Sequence, residues 1–406
     1  MQEDSIYPRD SLARALGVEA LSNEERERLL LASKQASARR IARIRELLVE
    51  NELDALYIRD LSNIKWVTAF QDVFDDEAAH ALIITPQDAI IHSDSRYGEA
   101  LEAAAQGSQI EVSLERESHA KWLSRLIAGA PASVQRTAIE DTLTLREFHA
   151  LEQALADTSV GLELVERTRL IEGLRASKDA LEIALMRRAQ SITDAGFAFI
   201  IDFIKPDMTE VEVQRALDSF LLDAGAEGLA FPTIVATGAH AASPHALSGA
   251  TRIAKGSAIV MDFGARFGGY CSDMTRTVFV GEPTEKMYCA WEAMRSANEA
   301  AEAALRSGKT GAEIHELAEA VLAEGGFANT MGHGLGHSLG IDIHEDPALS
   351  PRNTKPLPAG AVLTVEPGIY LPGEFGMRLE DFGVVTETGY DVITQSSHDM
   401  VIIEPH

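Results

Sequence analysis

Two aspartates in the C-terminal half of the chain follow short apolar segments. Asp262 comes after AIVM and Asp273 after GGYCS, with a glycine-containing turn between them. In an antiparallel hairpin whose two-residue loop is Phe267-Gly268, these aspartates would lie directly opposite each other, with Cβ atoms about 4.5–5.5 Å apart. Two carboxylates at that distance repel each other unless a cation lies between them. The spacing therefore indicates a cation site.

The same arrangement recurs further along the chain. Glu366 follows the apolar segment AVLTV, and Glu380 lies in GMRLED, so a loop midway between them would bring these two glutamates opposite each other as well. Between the two acidic pairs lies GHGLGHSLGIDIHE, which contains His333, His337 and His344. Its many glycines disfavour a helix and let the backbone approach a ligand closely.

Four carboxylates with one or two imidazoles form a hard, oxygen-rich set of donors. Such a set suits a pair of divalent ions such as Mn²⁺ or Co²⁺ better than it suits structural zinc. Two ions about 3.5–4 Å apart can share a water, lower its pKa and polarise a carbonyl group. The residues alone therefore predict a dinuclear hydrolase.

The elements that must position these residues divide into two groups. Between residues 33 and 168, short apolar runs alternate with helical patterns, which predicts a small α/β domain with a largely parallel sheet. Residues 165–188 form a charged stretch that we predict to be helical. Beyond it, amphipathic helices surround hairpin candidates, which predicts an α+β domain with antiparallel strands. We expect an N-terminal extension at 1–32, a first helix from about Ser33, and domains at 33–168 and 169–406.

The composition excludes several classes of protein. The 406 residues are 46% hydrophobic and 24% charged, which is typical of a folded globular chain. The net charge of −27 is spread over both halves, and this argues against a surface for nucleic acid or anionic membrane. Two cysteines cannot form a disulfide framework. No signal peptide or membrane span is visible, so we expect a cytoplasmic protein.

The ordered motifs DFGARFGGYCSD, GHGLGHSLGIDIHE, VEPGIY and RLED closely resemble the pita-bread metallopeptidases. The resemblance is to their proline-specific branch, aminopeptidase P and prolidase, and covers roughly residues 34–406. It implies an α+β fold class, in which a C-terminal pita-bread domain, a curved antiparallel sheet with helices on its outer face, follows a smaller creatinase-type α/β domain. It also implies two divalent metal ions per subunit, with Mn²⁺ expected and Co²⁺ or Zn²⁺ as alternatives. The implied metal ligands are Asp262, Asp273, His337, Glu366 and Glu380.

The resemblance also assigns roles around these ligands. Glu366 is expected to act as general base and then acid. His245, His333 and His344 resemble histidines that contact the substrate and stabilise the tetrahedral intermediate. Arg378 and Thr275 resemble residues that orient the ligands without touching metal. His240 matches nothing in the family and is expected to be a loop residue.

The activity expected from the resemblance is that of an Xaa-Pro aminopeptidase, a homodimer that cleaves short peptides before a proline in the second position. The alternative is an Xaa-Pro dipeptidase, or prolidase. Some prolidases carry an arginine for the substrate carboxylate four residues after the histidine that matches His344. Here that position is Ala348, with Arg352 further along, so we expect tripeptides to be preferred over dipeptides.

Three other classes of protein are more distant alternatives. A methionine aminopeptidase shares the ligands but usually lacks the N-terminal domain. A creatinase-like hydrolase shares both domains but does not keep the metal ligands. A non-catalytic binding protein of the same fold would have lost one or more of them.

Overall fold

The computed structural model describes residues 21–75, 77–129, 134–156 and 161–404, so most of the predicted extension at 1–32 lies outside the described residues. The contacts divide the described chain into two compact units, residues 21–175 and 176–404. The division falls between Arg175 and Ala176, whereas the change in sequence pattern places it near residue 168.

The N-terminal unit begins with a long helix, α1 (Asn23–Glu50). The expected start at Ser33 is wrong because a capping box lies further upstream. The Ser22 hydroxyl accepts a hydrogen bond from the backbone N–H of Glu25, and the Glu25 carboxylate accepts one from the backbone N–H of Ser22. This reciprocal pair satisfies two N–H groups that a helix start otherwise leaves unbonded.

A six-stranded sheet with the order β4-β3-β2-β1-β5-β6 forms the centre of this unit. The strands are β1 (Ala55–Ile58), β2 (His80–Ile84), β3 (Ala89–Ser93), β4 (Glu111–Ser113), β5 (Arg136–Glu140) and β6 (Glu163–Arg167). The helices are α2 (Leu61–Thr68), α3 (Gly98–Ala105), α4 (His119–Gly129), α5 (Leu145–Ala156) and the short α6 (Glu172–Arg175). The sheet is mixed, because β2 runs antiparallel to both β1 and β3 while the other neighbours are parallel.

The prediction of a helix over the charged stretch 165–188 is wrong at its start. β6 occupies the beginning of that stretch and pairs in parallel with β5 at one edge of the sheet. Charged side chains are common on edge strands because they prevent further strands from pairing there. The charges of Glu163, Glu166 and Arg167 therefore reflect an edge strand rather than the polar face of a helix.

The C-terminal unit contains four long helices and most of the antiparallel strands. The helices are α7 (Ala180–Phe203), α8 (Glu210–Asp223), α9 (Glu285–Ala304) and α10 (Gly311–Glu324). The strands are β7 (Gly228–Leu229), β8 (Ile234–Thr237), β9 (Ala258–Phe263), β10 (Ala265–Phe267), β11 (Tyr270–Cys271), β12 (Met274–Val280), β13 (Gly336–Ser338), β14 (Glu345–Leu349), β15 (Val362–Val365), β16 (Gly368–Leu371), β17 (Phe375–Arg378), β18 (Asp381–Val385), β19 (Tyr390–Val392) and β20 (Val401–Ile403).

The strands of this unit form several sheets, and the helices pack against apolar side chains of their strands. One sheet has the order β20-β12-β9-β8 and another the order β14-β13-β15-β18-β19, while β16 and β17 form a separate hairpin. α7 and α8 share a buried core with β9 and β12 around Phe263, and α9 and α10 share a second core with β15 and β17 around Trp291. The predicted α+β class is confirmed, with helices covering a largely antiparallel sheet system.

None of the described helices combines the length with the apolar composition that crossing a membrane requires.

Candidate metal centre

The hairpin that carries Asp262 and Asp273 has a different register from the one expected. Its turn is Gly268-Gly269, with φ of 58° and 77°, and not Phe267-Gly268. A two-residue hairpin turn of this kind needs positive φ at both positions, which glycine adopts at little cost and phenylalanine does not. The shift pairs Asp262 with Thr275, so Asp262 and Asp273 are not direct partners.

The second hairpin has the expected register. β16 and β17 pair Gly368 with Arg378 and Leu371 with Phe375. Extending this register by two residues beyond Gly368 and Arg378 makes Glu366 and Glu380 partners. Glu366 directly follows β15, and Glu380 lies between β17 and β18, so both side chains are fixed at strand ends.

His337 on β13 lies between the two hairpins. Its Nε2 atom is 3.6 Å from Asp273 Oδ2 and 3.5 Å from Glu366 Oε1. The possible ligand atoms of Asp273, His337 and Glu380 all lie within 4.8 Å of one another. The Nδ1 atom of His337 is 3.1 Å from the carbonyl oxygen of Ser338. Because a carbonyl oxygen only accepts, Nδ1 carries the proton in this hydrogen bond. Nε2 is then left with its lone pair facing the carboxylates.

Arg378 and Thr275 contact the carboxylates of this group. The Arg378 Nη2 group donates to Asp262 Oδ2, and its Nε donates to Thr275 Oγ1 at 2.9 Å. Thr275 in turn donates to Glu380 Oε2 at 2.6 Å. The other oxygen of Asp262, Oδ1, is buried without a hydrogen-bond partner among the described residues. The structure thus brings together Asp262, Asp273, His337, Glu366, Glu380, Arg378 and Thr275.

The electrostatics of this group show a surplus of negative charge. Burial raises the pKa of Glu366 to about 8. Burial and repulsion from the neighbouring carboxylates raise the pKa values of Asp273 and Glu380 well above their usual range. Burial likewise raises the pKa of Asp262, although the Arg378 guanidinium opposes the shift. Burial lowers the pKa of His337 to about 4, which keeps this imidazole neutral.

Tyr370 is a residue of this region that sequence reasoning missed. Its hydroxyl accepts a hydrogen bond from Arg378 Nη1 at 2.9 Å and lies 3.2 Å from His333 Nε2. It therefore connects His333 to the arginine that contacts Asp262. The position of Tyr370 in the quoted motif VEPGIY, four residues after Glu366, is the signal that could have identified it.

The remaining candidate histidines differ in their surroundings. The His344 ring lies 4.4 Å from the His337 ring and is exposed. His333 is half-buried, and burial lowers its pKa to about 4. His245 is exposed and follows the 3₁₀ helix Gly238–Ala242. His240 lies within that 3₁₀ helix, where its Nδ1 is 2.8 Å from the buried carboxylate of Glu210.

A second histidine–carboxylate group lies outside these residues. The possible ligand atoms of Glu302, Asp381 and His398 are within 4.8 Å of one another. Arg276 Nη2 donates to Asp381 Oδ1 at 2.6 Å, and His398 Nε2 lies 2.6 Å from Asp381 Oδ2. Asp381 is therefore already bonded on both oxygens by groups of the chain itself.

The first group fits divalent metal ions. It offers four carboxylates and a neutral imidazole, and Asp262 Oδ1 has the burial and the missing partner that a ligand atom would have. Hard divalent ions prefer oxygen donors of this kind. Together with the antiparallel sheet system and its covering helices, these residues define a pita-bread metallopeptidase.

The chain belongs to metallopeptidase family M24, within the proline-specific branch of the pita-bread enzymes. The family model of metallopeptidase family M24 matches residues 184–387, and that of the creatinase/prolidase N-terminal domain matches residues 40–177. The family resemblance inferred from the motifs is confirmed, and membership implies divalent metal ions.

Solved structures and a curated relative match nearly the whole chain. An Xaa-Pro dipeptidase from Bacillus anthracis is 32% identical with a TM-score of 0.83, over 90% of this chain and 99% of that one. An X-Pro aminopeptidase from Thermotoga maritima MSB8 is 30% identical with a TM-score of 0.78, over 87% and 98%. The Xaa-Pro dipeptidase of Lactobacillus delbrueckii subsp. lactis is 29% identical, over 89% of this chain and 98% of its own length.

Proposed function

We propose that this protein is a metal-dependent Xaa-Pro dipeptidase, which hydrolyses the bond before a C-terminal proline. The observation that carries the proposal is the gathering of Asp273, His337 and Glu380 in a chain that aligns along almost its whole length with Xaa-Pro dipeptidases. From the sequence this activity is the alternative to the Xaa-Pro aminopeptidase, and the names of the relatives favour the dipeptidase.

The metal ligands in this proposal are Asp262, Asp273, His337, Glu366 and Glu380. They would hold two divalent ions, with Mn²⁺ as the expected metal, and those ions would supply polarisation of a carbonyl oxygen and acidification of a water. The homodimer, the cytoplasmic location and the short proline-containing peptide substrates expected from the sequence stay predictions of the same proposal.

Glu366 is the proposed proton carrier. Water adds its oxygen to the carbonyl carbon of the residue before proline, and the C–N bond to proline then breaks. Glu366 takes one proton from the water and passes it to the proline nitrogen, so the products are a carboxylic acid and free proline. A carboxylate at this position can accept the proton as general base and then donate it as general acid.

Three histidines surround this reaction in the proposal. His344, on the side of the His337 ring, and His245 would donate hydrogen bonds to the oxygen that gains negative charge. His333 is held by Tyr370 and by the carbonyl oxygen of Gly334, at 2.7 Å from its Nδ1. It would bind the substrate as a neutral imidazole.

The Xaa-Pro aminopeptidase is the second candidate, and one observation favours it. Ala348 pairs with His337 across β13 and β14, so it stands beside the metal centre at the place where some prolidases carry an arginine. Arg352, the possible substitute, is exposed in the turn that follows β14. The structure thus provides no arginine at 348 to bind the carboxylate of a dipeptide.

A comparison of kcat/KM for Ala-Pro and Ala-Pro-Ala on one metal-loaded preparation tests the proposal. We expect kcat/KM to be about tenfold higher for the dipeptide, because one charge-assisted hydrogen bond to its C-terminal carboxylate contributes about that factor. Arg352→Ala should reduce this preference if Arg352 makes the contact, with Lys355→Ala as a control in the same loop. A tenfold preference for the tripeptide would establish the aminopeptidase instead.

A further inference from the structure

Lys178 is a buried cation just before α7, outside the sequence motifs that carry the family resemblance. Its side chain has no solvent-exposed surface, and its backbone N–H donates to the carbonyl oxygen of Gly360 at 2.8 Å. The ammonium group Nζ donates to Ser338 Oγ at 2.9 Å and to Glu345 Oε2 at 3.0 Å. A buried lysine is costly unless its charge is paired, so these contacts fix its position.

The two partners of Lys178 lie at the two ends of one segment. Ser338 directly follows His337, and Glu345 directly follows His344. Ser338 and Glu345 also pair across β13 and β14, at a bulge between His337 and Ser338. Lys178 therefore joins the start and the end of the loop that separates the two histidines.

The contact between Lys178 and Ser338 affects the orientation of the His337 ring. The carbonyl oxygen of Ser338 holds the Nδ1–H of His337, which directs Nε2 toward Asp273 and Glu366. The position of Ser338 thus determines where the Nε2 lone pair points. Groups that hold a metal-binding histidine in this indirect way typically change metal affinity by about 10–100-fold when they are removed.

The contact with Glu345 holds the other end of the loop. Glu345 Oε1 accepts a hydrogen bond from the backbone N–H of Asp342 at 3.1 Å. A Cβ atom on Gly340 would lie 2.6 Å from the same oxygen, so the loop closes tightly around this carboxylate. The carboxylate is therefore surrounded by its own loop and by Lys178, and it keeps His344 next to His337.

We propose that Lys178 is a positioning residue that aligns His337 for metal binding and His344 for the substrate, through Ser338 and Glu345. This inference rests on the proposed function, because it takes His337 as a ligand. Lys178 itself touches neither the metal ligands nor the substrate in this proposal. It acts through the geometry of the loop 338–345.

The test replaces Lys178 with methionine, which keeps the length of the side chain and removes the charge. In Lys178→Met we expect the affinity for Co²⁺, measured by competition with a chelator, to fall about 10–100-fold. The visible absorption bands of the Co²⁺-loaded protein should shift, because a misaligned His337 changes the ligand geometry. At saturating metal, kcat should fall about tenfold, and Lys178→Arg should restore part of the affinity.

Lys286→Met is the matched control, because Lys286 forms an exposed ion pair with Glu374 at 2.7 Å. The Lys286→Met protein loses the same charge and should bind Co²⁺ with unchanged affinity and an unchanged absorption spectrum. If Lys178→Met does not fold, Glu345→Gln breaks the same ion pair with a smaller change and should give the same spectral shift.

A Lys178→Met or Glu345→Gln protein with the Co²⁺ affinity and spectrum of the unsubstituted chain would overturn the inference, and the ion pair would then be structural only. Failure of the unsubstituted protein to cleave any Xaa-Pro peptide would count against the proposed function instead. The metal measurements need no peptide cleavage, so the two failures are distinguishable.

Discussion

Glu380 and Asp381 are consecutive residues that belong to two different histidine–carboxylate groups. Burial acts to raise the pKa of both carboxylates. For Asp381, the Arg276 guanidinium and His398 outweigh burial, and the pKa is lowered below its usual range. For Glu380, burial is reinforced by repulsion from Glu366 and Asp262, and its pKa is raised well above its usual range. The difference lies in the supply of positive charge, since both carboxylates are buried.

The comparison shows which group needs a ligand. Around Asp381 the chain supplies its own cation, Arg276, which also donates to the carbonyl oxygens of Glu380 and Ser396. Around Glu380 the carboxylates of Asp262, Asp273, Glu366 and Glu380 share the guanidinium of Arg378. A buried excess of negative charge is stable only if protons or cations neutralise it. This excess is the physical reason to expect metal at the first group.

Removing metal should have the largest effect on activity. Exhaustive chelation should lower peptide cleavage to background, and Mn²⁺ or Co²⁺ should restore it with about two ions bound per subunit. His398→Ala should leave the number of bound ions unchanged, because Asp381 is neutralised by Arg276. Metal analysis together with a cleavage assay measures both quantities. Full activity in a preparation without detectable metal would rule out the proposed mechanism.

Replacing Glu366 should have the next largest effect, and Glu302 offers a matched comparison. Burial raises the pKa of each of these glutamates to about 8. Glu366→Gln should lower kcat by roughly 10³-fold or more, since it removes a ligand charge and the proton carrier together. Glu302→Gln should change kcat less than about threefold, because Glu302 has a raised pKa without a role in the reaction. His240→Ala should likewise change kcat/KM less than about threefold.

Similar losses in Glu366→Gln and Glu302→Gln would contradict the assignment of the site. They would mean that a buried glutamate matters for stability in both places. Melting temperatures of the two variants, measured alongside kcat, separate that outcome from a catalytic effect.

The comparison of the two groups also shows how far the sequence predicts the site. Asp262, Asp273, His337, Glu366 and Glu380 could be selected because carboxylates after apolar strands and a glycine-rich histidine segment are local patterns. The register of the β16–β17 hairpin could be predicted from the position of its loop. The register of the hairpin that carries Asp262 and Asp273 could not. Two turns, Phe267-Gly268 and Gly268-Gly269, were possible, and the requirement for positive φ at both residues decides between them.

The residues that balance the charges were harder to identify from the sequence. Lys178 and Glu345 are separated by more than 160 positions and become partners only through tertiary packing. Arg276 lies just after one recognised motif and Tyr370 at the end of another, but nothing local shows which carboxylate an arginine contacts. The helix start at Asn23 was locally encoded in the Ser22 and Glu25 capping box, so it could have been predicted.

The pH dependence of stability should show the smallest effect, and its sign follows from the raised pKa of Glu366. In the metal-free folded protein Glu366 keeps its proton up to about pH 8, whereas in the unfolded chain it ionises near its ordinary pKa of 4.5. The folded state therefore binds more protons across this window, and the free energy of unfolding falls as pH rises. His333 and His337, with pKa values lowered to about 4, act in the opposite direction only below their ordinary 6.5.

The clearest window for this measurement is therefore pH 6.5 to 8, with metal-free and metal-loaded protein compared by calorimetry. His398 and Glu302 also have raised pKa values, but they titrate in both forms and cancel in the difference. Bound cations keep Glu366 ionised, so the gap in melting temperature between the two forms should widen as pH rises, by a few degrees for about 1 kcal/mol. In metal-free Glu366→Gln the fall in stability over this window should be smaller. A gap that stays constant from pH 6.5 to 8 would show that the charges at Glu366 and Asp381 are balanced in the same way, and the contrast between the two groups would be lost.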